Sequence, residues 1–180
     1  MGWNNRGHRK MTDNIVLIGF MGVGKGRTAR TLAELTGRFA IDTDDMIESM
    51  VKMKIRKIFA KQGEASFRQL EQRAADWLET RVTGTVVSTG GGFFMVNNIR
   101  RTGRVIYLHS TVESIISAIK NHPKAEKKIK KRPLLQDLGK AKELYAQRLP
   151  LYREAADHEI VVEGREIHEV AQEIIGLTGV

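Results

Sequence analysis

Cysteine is absent from all 180 residues, which excludes disulfides and thiolate metal sites and fits a reducing compartment. No apolar run approaches the roughly 20 residues that a membrane helix requires. The basic opening stretch Met1 to Lys10 is followed by no hydrophobic export segment. Met1-Gly2 opens like a myristoylation signal, but Arg6 stands where that signal needs Ser or Thr. These absences point to a cytoplasmic protein with no membrane partner. Aromatic residues are also scarce, at 6%. Residues 1–11 read as a disordered basic tail.

What remains is the composition of an ordinary globular protein, 41% hydrophobic and 28% charged, with the length of a single domain over residues 12–180. The formal net charge of +9 predicts a surface that attracts anions without saying which ones. Much of the excess lies in one short segment, since Lys120 to Arg132 holds seven Lys or Arg residues and one Glu. No aromatic residues are interleaved with that run, which argues against a nucleic-acid-binding surface.

Apolar, β-branched runs at Asn14 to Ile18, Thr85 to Val87, Arg104 to Leu108 and Glu159 to Val162, with a weaker one at Phe39 to Ile41, read as buried parallel strands. Segments with helical spacing lie between and after them, at Gly26 to Thr36, Ala65 to Arg81, Thr111 to Lys120, Lys140 to Ala155 and Ile167 to Gly176. Strands alternating with helices predict an α/β fold, a doubly wound sheet with helices on both faces. Residues 121–138 break the alternation. They are densely charged, carry Pro123 and Pro133, and read as a mobile lid over the surface.

After the first strand comes Gly19-Phe20-Met21-Gly22-Val23-Gly24-Lys25, which matches G-x-x-x-x-G-K. In that pattern backbone N–H groups close around phosphate oxygens, the helix N-terminus adds its dipole, and the lysine reaches the outer phosphates. The position between first strand and first helix is where a working loop must sit. The residue after the lysine should be Ser or Thr, whose hydroxyl binds Mg²⁺, and here it is Gly26. Thr28 is no substitute, because two residues along a helix is about 200° around the axis.

The second strand leads into Asp42-Thr43-Asp44-Asp45-Met46-Ile47-Glu48. On an extended chain Asp42 and Asp44 point to the same side, so one carboxylate can hold a hydrated Mg²⁺ and the other can take a proton from an attacking hydroxyl. A helix N-cap followed by first-turn acids is the plainer alternative, and Asp45 and Glu48 fit such structural roles. Downstream, Phe67 and Arg68 offer an aromatic wall and a planar cation suited to a carboxylate. A solvated Arg68–Glu71 ion pair is the alternative there. The third strand runs into Ser88-Thr89-Gly90-Gly91-Gly92, where backbone N–H groups lie open to a ligand. Lys131-Arg132-Pro133-Leu134-Leu135 closes the basic lid, and Arg148-Leu149-Pro150-Leu151-Tyr152 interrupts the helix beyond it. An arginine on a closing lid can neutralise a transferring phosphoryl group.

In this order, the phosphate loop, Asp-Thr-Asp-x-x-Ile-Glu, Ile-Phe with Gly-Glu-x-x-Phe-Arg-x-x-Glu, Gly-Gly-Gly, Arg-Pro-Leu-Leu and Arg-x-Pro-x-Tyr resemble shikimate kinase from about Asn14 to near the C-terminus. The resemblance implies a three-layer P-loop fold with a five-stranded parallel sheet, a lid, and a substrate-binding segment near residues 43–72. It implies transfer of the γ-phosphate of ATP to the 3-hydroxyl of shikimate by a Mg²⁺-dependent monomer. Carried onto this chain, Gly22, Val23, Gly24, Lys25, Gly26 and Arg27 would hold ATP, with Arg132 from the lid and Lys120 near the adenine. Asp44 would be the base, aided by Lys25 and Arg132. Phe67, Arg68, Gly90, Gly91, Gly92 and Arg148 would hold shikimate together with Asp44, while Asp42 and Ser88 would hold the metal through water. Gly26 and Arg27 depart from the family's Ser/Thr-Thr. They predict an enzyme slowed by its metal site, the alternative being a relative that binds nucleotide or shikimate with little turnover.

Overall fold

The computed structural model describes residues 13–123, 125–130 and 133–180, so the expected tail and Arg132 lie outside the described residues. Five strands, β1 (Ile15–Ile18), β2 (Ala40–Asp42), β3 (Val86–Ser88), β4 (Arg104–His109) and β5 (His158–Val161), form one sheet in the order β2-β3-β1-β4-β5. Every pairing is parallel. The helices are α1 (Lys25–Thr36), α2 (Thr43–Val51), α3 (Ile55–Arg81), α4 (Val112–Lys120), α5 (Ala125–Lys130), α6 (Leu138–Ala155) and α7 (Ile167–Thr178).

Side chains alternate across a strand, and here both faces are apolar. Val16, Ile18, Val87, Val105 and Tyr107 enter one core with residues of α3, α4 and α6. Ile15, Leu17, Val86, Ile106 and Leu108 enter a second core, against Ala29 and Leu32 of α1 and Val170, Ala171 and Ile174 of α7. The three layers are thus dictated by continuous hydrophobic strands that need cover on both sides.

The chain departs from the sequence-based expectation in three places. The segment after Asp42 is helical rather than extended. Asp42 is the N-cap of α2, its Oδ1 accepting from the backbone N–H of Asp44 at 3.0 Å and Asp45 at 3.3 Å, so the same-side argument for Asp42 and Asp44 does not hold. Glu48 then ties α2 to α3 by accepting from the Ile55 N–H at 2.9 Å. Secondly, α3 starts ten residues before the predicted Ala65. It bends at Gly63, where φ 78° and ψ 173° are available to glycine and break the regular helical ladder. Thirdly, Pro150 does not interrupt α6, which runs on to Ala155 with Tyr152 and Ala155 buried. Residues 121–138 hold α5 and a 3-10 turn, Pro133–Gln136, whose Leu135 is buried beside Gly22 of the phosphate loop.

Candidate active site

The carboxyl ends of β1, β2 and β3 meet at a cleft of about 350 Å³. The phosphate loop forms one wall. Gly24 is the left-handed N-cap of α1, and the loop passes directly into Lys25. The Lys25 side chain is buried and curls over its own loop, Nζ donating to the carbonyls of Gly19 at 2.7 Å and Phe20 at 3.1 Å. Gly22, Gly24, Gly26 and Arg27 line the cleft. Val23 packs instead into the apolar cores. Lys120 is exposed on the last turn of α4, outside the lining that Ala118, Ile119 and His122 provide there.

Opposite the loop, Asp42 caps α2 with Oδ1 and accepts from Ser88 Oγ with Oδ2 at 2.8 Å. A Cβ added at Gly26 would stand 3.7 Å from Ser88 Oγ and 3.9 Å from Asp42 Oδ2. The two expected metal residues therefore converge on Gly26, and their all-oxygen set suits a hard cation held through water. The direct hydroxyl is missing, as the sequence predicts.

Asp44 occupies the first turn of α2, facing the same cleft. Burial and the nearby Asp42 charge push its carboxyl up to about 7, with Lys25 opposing the rise. A carboxylate so placed can exchange a proton near neutral pH. Among the described residues, Asp44 Oδ1 and Glu71 Oε1 are the two buried side-chain oxygens left without a hydrogen-bond partner. Both border Gly90, at 2.6 and 3.1 Å from the position a Cβ would take there. The Gly90 N–H donates to Thr43 Oγ1 at 3.2 Å, locking the glycine turn to the start of α2.

The arginines lie on the far side of this turn. Arg68 Nη1 would be 2.2 Å from a Cβ on Gly92, so the guanidinium fills the space that a side chain there would take. Arg148 Nη1 donates to the Gly91 carbonyl at 3.1 Å, as does the Tyr152 hydroxyl. Phe67 is buried, stacked at a tilt on Phe59 with centroids 4.9 Å apart, and is core rather than cleft wall. The sequence missed the depth of Glu71. Its side chain is 1% exposed and it holds Arg68 Nη1 at 2.5 Å, so the pair is a buried support rather than a solvated ion pair. Burial pushes the Glu71 carboxyl up, and Arg68 offsets only part of that rise. The apolar residues around the Arg-x-x-Glu spacing were the available signal.

The sequence and the fold both have relatives among known proteins. The family model for shikimate kinase matches residues 21–178. A shikimate kinase of Helicobacter hepaticus is 37% identical over 163 residues, covering 91% of this chain and 94% of that protein. One of Dehalococcoides mccartyi is 38% identical, covering 92% and 93%. The solved shikimate kinase of Acinetobacter baumannii in complex with shikimate superposes with a TM-score of 0.77 at 35% identity, covering 92% of each chain. The phosphate loop, Asp42, Asp44, Ser88 and the glycine turn form the cleft, Arg68, Gly92 and Arg148 lie outside its lining, and this chain, a small-molecule kinase, belongs to the shikimate kinase family.

Proposed function

We propose that this chain transfers the γ-phosphate of ATP to the 3-hydroxyl of shikimate, giving shikimate 3-phosphate and ADP. The observation that carries the reading is Asp44, a carboxylate tuned to about 7 between the phosphate loop and the glycine turn. It takes the proton of the acceptor hydroxyl. The freed oxygen bonds to the γ-phosphorus as the bond to the β-phosphate oxygen breaks, and ADP leaves with that electron pair. Lys25, turned from its carbonyl partners to the phosphates, holds their negative charge. Arg68 and Arg148 hold the acceptor's carboxylate over Gly90 to Gly92, and Arg132 on the lid is assigned to the transferring group.

Asp42 and Ser88 would hold Mg²⁺ through its waters, and the bound ion would neutralise charge shared by the β- and γ-phosphates. Gly26 favours a second reading, a protein that binds both ligands but turns over slowly. Release of ADP from ATP, measured with shikimate and with a panel of neutral and anionic acceptors over a range of Mg²⁺, separates the two. Shikimate-dependent release is expected. Binding of both ligands without release at saturating Mg²⁺ would leave the second reading standing.

A further inference from the structure

The guanidinium of Arg68 is engaged on both of its edges. Nη1 is held by the buried Glu71. The other edge, Nε and Nη2, converges on one oxygen of Glu64 at 3.1 and 2.5 Å. That edge carries two parallel N–H groups, the fork that matches a carboxylate. The two acidic partners differ in kind, because the Glu64 side chain is 61% exposed against 1% for Glu71. An exposed pair is worth little and separates readily. Glu64 also directly follows Gly63, the break in α3, while Glu71 sits well inside the regular helix. Glu71 and Glu64 between them take both edges of the Arg68 guanidinium, so it has no free edge to offer an anion until Glu64 leaves.

We propose that Glu64 is a displaceable stand-in for the acceptor's carboxylate, filling the Nε–Nη2 edge of Arg68 in the ligand-free chain and turning out to solvent when an anionic acceptor binds. The proposal rests on the reading that Arg68 grips that carboxylate. Glu64 then sets specificity. A neutral polyol has nothing with which to displace it, whereas a carboxylate replaces it on that edge of Arg68.

Calorimetric titration of the full chain with shikimate tests this. Glu64→Gln is expected to tighten shikimate by about 1.5- to 5-fold, the worth of an exposed ion pair. The Kd of ATP and of shikimate methyl ester, which has no carboxylate charge, is expected to stay the same. Arg68→Lys is expected to weaken shikimate by about tenfold or more, as loss of charge-assisted hydrogen bonds does. If Arg68→Lys weakens shikimate while Glu64→Gln leaves it unchanged or weaker, the stand-in is overturned and the clamp survives. If Arg68→Lys keeps full shikimate affinity, the clamp itself fails. Equal tightening of shikimate and its methyl ester in Glu64→Gln would also overturn the proposal, since charge competition acts on the acid alone.

Discussion

At Asp44 chemistry and stability pull in opposite directions. Its folded pKa of about 7, against 3.8 for an ordinary aspartate, means that the native chain holds the proton more tightly than the unfolded one. Stability is therefore fully present below about 4 and is lost as pH rises towards 7, leaving the ionised group to oppose folding by about 2–4 kcal/mol above that. Asp44→Asn is expected to lower kcat by about 10²- to 10⁴-fold. The same variant is expected to raise Tm at pH 8, with the gain shrinking by pH 5, as thermal unfolding at the two pH values would show. Gly26 is the other residue under tension with its role. A Ser side chain there meets only ordinary contacts, the nearest at 3.7 Å, and places a hydroxyl between Ser88 and Asp42. Gly26→Ser should therefore raise turnover at limiting Mg²⁺ by about 10- to 100-fold, the scale on which supporting metal contacts act. Identical Mg²⁺ titrations for the two proteins would remove Gly26 as a cause of slow turnover. Residue types and their order pointed to Lys25, Gly26, Asp42, Asp44 and Ser88, which the fold brings to one cleft, but also to Phe67 and Lys120, which lie outside its lining. Burial was not disclosed: nothing in the spacing of Arg68 and Glu71 tells a solvated pair from one closed under the glycine turn.

Among the elements, the glycine turn after β3 makes the most specific demand. A methyl group on Gly92 would collide with the Arg68 guanidinium, the far end of a flexible side chain that must then shift against the buried Glu71. Gly92→Ala is accordingly expected to raise the KM for shikimate and spare that for ATP, with only a small fall in Tm from the strained Arg68–Glu71 pair. A large fall in Tm would mean that the turn serves the fold instead. The strands and the later helices were legible because long apolar runs and regular spacing persist through them. α2 was hidden because its cap, Asp42, is also the last residue of a three-residue strand, so extended and helical readings compete over the same side chains. The first part of α3 was hidden by Gly63, which reads as a terminator yet serves as a bend. Pro150 gave a false stop because burial of Tyr152 and Ala155 carries α6 past it.

Across the whole molecule, the two cores divide the labour. The face bearing α3 and α6 presents the acceptor-side arginines, and the face bearing α1 and α7 braces the helix that begins at Lys25. The halves meet at Gly91. Its carbonyl receives Arg148 and Tyr152 from α6, while a Cβ on it would stand 3.6 Å from the Met21 nitrogen and 4.0 Å from the Gly19 carbonyl of the phosphate loop. One peptide thus touches both the phosphate loop and the arginine proposed for the acceptor. Any shift of the loop as it closes on phosphate is felt by the residue that orients Arg148, and the reverse is equally true. Free-energy linkage makes that exchange symmetrical: by whatever factor ATP tightens the acceptor, the acceptor tightens ATP. On the proposed reaction, such a link would keep the phosphoryl group from being spent on water until both partners are seated.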